Sequence, residues 1–283
     1  MIGVYDSGFG GLSVLRQLRT RLPERDFLYL ADSGRAPYGG RDCDTLLDFA
    51  EQCIERLFEE GCRLVVVACH TISCIGLRHL QLRYAGGTTG RRILGVTIPA
   101  AEAAVAMSRG HIGILGTART VSSHTFAVEI AKLGPHRVLQ RAAPLLAPLV
   151  EEGLENTDIA RRVVEHYLQD LGDVDTLVLA CTHYPLLMDA ISETCRARVL
   201  DPAPYVAERL EDWLQRHPEF DVPGNGIVKV RCTSEPEFFR QHAVRFFGAE
   251  LGEVERLCEA GGRLVAYEAT HTVVGQVVRQ VSG

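Results

Sequence analysis

Two apolar runs in this chain end in the same way. Leu64 to Thr71 reads LVVVACHT and Thr176 to His183 reads TLVLACTH, which puts Cys69 and Cys181 at matching positions 112 residues apart. Two thiols held on opposite faces of a carbon atom can invert it, because one removes a proton while the other supplies a replacement. The reference thiol pKa of about 8.5 leaves a useful thiolate fraction once a helix N-terminus or a cation lies close. The neighbours extend this chemistry: Thr71 and Thr182 carry hydroxyls able to donate to a carboxylate, and His183 can pass protons to or from Cys181. Burial explains any single cysteine, but it does not require the same Ala-Cys pair at two equivalent places.

Rival uses of these residues are weaker. Cys69, His70, Cys74, Cys181 and His183 are all acceptable zinc ligands by type, yet neither C-x-x-C nor H-E-x-x-H occurs, so no metal site is expected. A lone Cys-His nucleophile for acyl transfer leaves the second cysteine unexplained.

The elements that must position these residues follow from the runs themselves. Valine and leucine without alternation read as a strand buried on both faces, and open α/β sheets bind ligands beyond the carboxyl ends of such strands. Runs at 2–5, 27–31, 64–68 and 93–96 alternate with helical periods at 12–22 and 46–58, the pattern of a parallel sheet with crossover helices. The pattern resumes with strands at 112–115, 138–142 and 176–180 and a helix at 122–133, then a strand at 227–232 and a helix at 236–247. The expected organisation is a discontinuous first α/β domain of residues 1–96 plus 203–262, an inserted α/β domain of residues 97–202, and a tail of unknown role at 263–283.

Two glycine-rich loops leave the first strands. In YDSGFGG, Tyr5 to Gly11, backbone amides near a helix start suit an anion, with Asp6 or Ser7 as the alternative helix cap. After Gly8 and Gly10 the third position of G-x-G-x-x-G holds Ser13, which removes the main support for dinucleotide binding. In ADSGRAPYGG, Ala31 to Gly40, Pro37 and Tyr38 build a rigid turn at the same crevice edge. Thr117, in GTART after a strand, also suits an anion-binding turn.

Composition narrows the function class. The hydrophobic share of 46% is scattered in short runs, with no stretch of about 20 apolar residues and no signal-peptide pattern, so a cytoplasmic protein without a membrane span is expected. Nine cysteines at irregular spacing predict reduced thiols, with Cys43, Cys53 and Cys62 as small buried hydrophobes. A net charge of -6 and only two lysines, Lys132 and Lys229, argue against a nucleic-acid surface. Those lysines fall in a helical and a strand segment without a phosphate-binding signature, which gives pyridoxal phosphate little support.

Taken in order, VYDSGFGGLSVL, ADSGRAPYG, GTARTVSSHTF, APLVEEG, LACTHYPLL and TSEPEFF resemble the glutamate racemases of the aspartate/glutamate racemase superfamily over about residues 2 to 250. The resemblance implies two flavodoxin-like parallel-sheet domains facing a central cleft, no cofactor, glutamate as the small-molecule substrate, and D-glutamate supply for bacterial peptidoglycan. It implies Cys69 as the base for the D-isomer and Cys181 for the L-isomer, assisted by Asp6 and His183, with Glu151 as a further acidic residue. Ser7, Pro37, Tyr38, Gly39, His70, Thr71, Thr117 and Thr182 fall at its substrate-binding positions. A homodimer is expected from the resemblance alone.

The sequence departs from the family pattern where His70 and Ile72 replace the usual asparagine and alanine beside the first cysteine, and where Ala143 replaces a common cysteine. A titratable ring at position 70 predicts pH-sensitive activity near neutrality. Two alternatives follow from these departures: action on another amino acid such as aspartate, or a noncatalytic binding relative.

Overall fold

The computed structural model describes residues 1–86 and 90–267. In chain order the strands are β1 (Ile2–Asp6), β2 (Phe27–Ala31), β3 (Leu64–Val67), β4 (Arg92–Gly95), β5 (His111–Gly116), β6 (Arg137–Ala142), β7 (Thr176–Ala180), β8 (Arg198–Leu200), β9 (Val228–Cys232), β10 (Val254–Ala260) and β11 (Arg263–Ala266). They form two sheets, ordered β11-β10-β9-β2-β1-β3-β4 and β6-β5-β7-β8. All ladders are parallel except β10 with β11, which closes one edge antiparallel.

Every residue of β1, β2, β3 and β7 is buried, which is why these strands read as unbroken apolar runs: helices cover both faces. Both sheets contain the same core order, β2-β1-β3-β4 in one and β6-β5-β7-β8 in the other. In that flavodoxin-like arrangement the ligand crevice opens beside the first strand, where the order reverses. The strands flanking the two reversal points are β1 with β3 and β5 with β7. Their carboxyl ends lead directly into Asp6 and Ser7, Cys69, Thr117 and Cys181.

Helix Gly11–Arg21 buries Leu12, Val14, Leu15 and Leu18. Helix Ala203–Arg216 buries Val206, Ala207, Leu210 and Leu214 and packs against both Gly11–Arg21 and Thr97–Met107, so it lies between elements of the two sheets. Burying each such leucine contributes about 1.5–3 kcal/mol.

Three strands are absent from the sequence reading. β8 spans only three residues. β10 and β11 bury Leu257 and Leu264 while their neighbours face outward, an edge pattern too sparse to stand out. Residues 263–266, expected in the tail, therefore belong to the first sheet, and 268–283 lie outside the described residues. Cys53 and Cys62 are buried as expected, but Cys43 is exposed because it starts a helix capped by the Asp42 carboxylate. All nine cysteines are free thiols. Among the described residues no helix is long and apolar enough to cross a membrane.

Candidate active site

The loops after β1, β2, β3, β5 and β7, with helix Leu146–Glu151, enclose a cavity of about 240 Å³. Cys69 and Cys181 both line it, as do Ser7, Pro37, Tyr38, Gly39, His70, Thr71, Thr117, Glu151, Thr182 and His183. Asp6 lies just behind this lining, fully buried. Its carboxylate accepts the Gly8 amide at 3.0 Å and the Thr182 hydroxyl at 3.4 Å. The Gly8 amide that the sequence offered to an anionic ligand is thus taken by Asp6, which is not a helix cap; the cap position of helix Gly11–Arg21 is Gly10. Gly10 also permits a close approach between the sheets. A Cβ there would stand 2.2 Å from Thr182 Oγ1 and 2.7 Å from His183 Nδ1, far inside contact distance.

Cys69 occupies the cap position of helix His70–Ile75, and its thiol points to Ser7 Oγ at 3.7 Å. Burial, reinforced by the nearby Asp6 charge, pushes its pKa up to about 12. Thr71 Oγ1 and Thr117 Oγ1 meet at 2.9 Å, joining the loops of β3 and β5. Thr117 in turn caps the short helix Ala118–Ser122 by accepting the Thr120 amide at 3.2 Å.

The Pro37 loop rests on a buried polar network absent from the sequence reading. Tyr38 donates to Asp32 Oδ2, Tyr5 donates to the Tyr38 hydroxyl at 3.1 Å, and Asp32 also accepts from Arg35 at 2.8 Å and Thr233 at 2.9 Å. The repeated tripeptide Asp-Ser-Gly at 6–8 and 32–34, each time at a strand end, is the signal that would have revealed Asp32 as a second buried carboxylate.

On the other side His183 Nδ1 lies 3.9 Å from Cys181 Sγ, and its Nε2 lies 3.0 Å from Glu151 Oε1 at the end of helix Leu146–Glu151. Burial opposes charge on this ring, but hydrogen bonds to Cys181 and Glu151 and the charges of those partners outweigh it, raising the pKa to about 10. Asp6 is raised too, because burial outweighs the attraction of His183 and the Gly8 amide bond. Unlike Cys69, Cys181 does not head an α-helix. Pro185 follows, and the backbone takes a single 3₁₀ turn at Tyr184–Leu187 before helix Met188–Thr194.

His70 is 3% exposed, neither ring nitrogen has a partner, and its ring lies 6.3 Å from Phe126 at 15°. Burial depresses its pKa to about 3, so the ring is neutral near pH 7, which runs against the expected pH sensitivity. His70→Asn should leave the rate profile between about pH 6 and 8 unchanged in shape. The fold refuses a proton that the unfolded chain takes up near 6.5, so this residue makes stability fall as pH drops from there towards 3. Thermal melts should show a smaller acid loss in His70→Asn; an equal loss would contradict this assignment.

Among the described residues no three His, Cys, Asp or Glu side chains converge as a metal-binding group. The cleft instead offers two separated thiols, each beside its own carboxylate system. The profile of the Asp/Glu/hydantoin racemase family matches residues 11–210.

This chain belongs to that racemase family.

The racemase chain is 38% identical to the glutamate racemase of Aquifex aeolicus over 253 residues, covering 88% of this chain and 95% of that one. The structure of glutamate racemase from Francisella tularensis in complex with D-glutamate superposes with a TM-score of 0.84 at 27% identity, covering 91% and 97% of the two chains. Glutamate racemase from Thermus thermophilus in complex with β-chloro-D-alanine gives a TM-score of 0.80 at 36% identity, covering 90% and 95%.

Proposed function

We propose that this racemase interconverts L- and D-glutamate without a cofactor, by proton transfer between Cys69 and Cys181. The observation that carries the reading is the delivery of the two thiols to one cavity by different sheets, with Asp6 behind the first and the His183–Glu151 pair beside the second. For L-glutamate the Cys181 thiolate takes the α-hydrogen as a proton and the C–H electron pair stays on carbon. The Cys69 thiol then gives its proton to the opposite face. Reversal starts from D-glutamate with the roles exchanged.

The protonation states favour this division of labour. Burial and the Asp6 charge keep Cys69 protonated near neutrality, ready to donate. A cationic His183 beside Cys181 stabilises negative charge as it develops on that sulfur. Ser7, Thr71, Thr117 and Thr182 present hydroxyls, and Pro37, Tyr38, Gly39 and His70 complete the wall against which the substrate rests. The same reading carries a cytoplasmic location, use of D-glutamate in peptidoglycan, and a homodimer.

Glutamate and aspartate differ by one methylene, a difference a binding site distinguishes by about 1–3 kcal/mol. Chiral chromatography of each L-amino acid incubated with the enzyme should therefore give kcat/KM at least about tenfold higher for glutamate. Preference for aspartate would overturn the substrate assignment, and inertness towards both would favour a noncatalytic relative.

A further inference from the structure

Helix Pro236–Phe247 packs on helix Gly11–Arg21 and β10 of the first sheet, yet two consecutive side chains near its end reach the Cys181 side of the cleft. Arg245 Nη2 donates to the Val150 carbonyl at 2.6 Å and pairs with the Glu155 carboxylate at 2.5 Å. Val150 immediately precedes Glu151 in helix Leu146–Glu151, so this contact fixes the backbone that presents the Glu151 carboxylate. Phe246 sets its ring against the His183 imidazole, edge to face, at 5.3 Å and 77°, and stacks on Phe9 of the β1 turn at 6.1 Å. Neither residue lines the cavity. Together they hold the Glu151–His183 hydrogen bond from behind, one at each end.

We infer that Arg245 is a positioning residue for the Cys181 half of the reaction, acting through the helix that carries Glu151. The inference rests on the two-thiol reading. Guanidinium chemistry suits the task, because one group can hydrogen-bond a helix-end carbonyl while its charge pairs with a carboxylate. The Cys69 half is built from the loops of β1 and β3, and Arg245 has no bond to either.

The two enantiomers are equal in energy, so kcat/KM in the two directions must fall together, and sidedness is visible only in a half-reaction. The test is wash-in of solvent deuterium at the α-carbon, with Arg245→Gln added to each single-cysteine enzyme. In a Cys69→Ser background, which retains Cys181, exchange of L-glutamate should fall by about 10- to 100-fold, as expected when a positioning contact is lost. In a Cys181→Ser background, exchange of D-glutamate should stay within about twofold. Arg245→Lys, which keeps a donor and the charge, should restore most of the L-side rate. Equal losses on both sides, or no loss on the L side, would overturn the positioning role. If neither single-cysteine parent exchanges its enantiomer, the two-thiol reading fails, and this proposal with it.

Discussion

Cys69→Ser and Cys181→Ser should each lower racemisation by about 10³-fold or more, in both directions alike. A serine hydroxyl is too weak an acid to exist as an alkoxide near neutrality, so the variant loses one of the two proton-transfer groups while its cavity changes little. The intact thiol keeps its environment. Cys181, with His183 at 3.9 Å, should still exchange the α-hydrogen of L-glutamate in the Cys69→Ser enzyme. Cys69, with Ser7 at 3.7 Å and Asp6 nearby, should exchange that of D-glutamate in the Cys181→Ser enzyme. Polarimetry measures the first effect and proton NMR in D₂O the second. Near-normal racemisation by either variant would remove the two-thiol mechanism.

Glu151→Gln should reduce kcat by about 10²-fold, in the range of general acid–base contributions, and should also move the alkaline limb of the pH–rate profile to lower pH. The sign follows from the hydrogen bond at 3.0 Å between Glu151 Oε1 and His183 Nε2. Removing the carboxylate charge weakens the protonated ring, so the His183 pKa falls from about 10. Stability should follow the same linkage. Because the folded pKa stands above the unfolded value of 6.5, the interaction stabilises fully below that pH and is lost as pH rises through about 10. Wild-type enzyme should therefore lose more thermal stability than Glu151→Gln between those limits. An alkaline limb that stays in place would show that this ring does not govern activity.

Local chemistry accounts for what the sequence discloses. Strands buried on both faces must be apolar throughout, so β1, β2, β3 and β7 are visible as runs, and the residues just past their ends are the crevice residues of any parallel sheet. The paired Ala-Cys ends marked Cys69 and Cys181 on that ground alone. Glu151 was reachable only by resemblance, since nothing in APLVEEG links it to a histidine 32 residues away. Arg245 had no local signal at all, because its partner carbonyl lies 95 residues earlier and helix-end contacts are independent of partner type. The neutrality of His70 is hidden in the sequence for a related reason. Its ring titrates according to its surroundings, and the tight burial against Phe126 arises from residues remote in sequence. The Asp6 turn shows a third kind of difference, in which a side chain satisfies an amide that the glycine-rich pattern offers to a ligand.

The most direct test of proton transfer between two thiols is the early time course of L-glutamate racemisation in D₂O, followed separately in product and residual substrate. With Cys181 removing the substrate hydrogen and Cys69 supplying a solvent-derived one, D-glutamate should carry deuterium at the α-carbon from the first turnovers, while residual L-glutamate stays largely unlabelled. Product that retains the substrate's own α-hydrogen would mean that a single group returns the proton it removed, and would contradict the account.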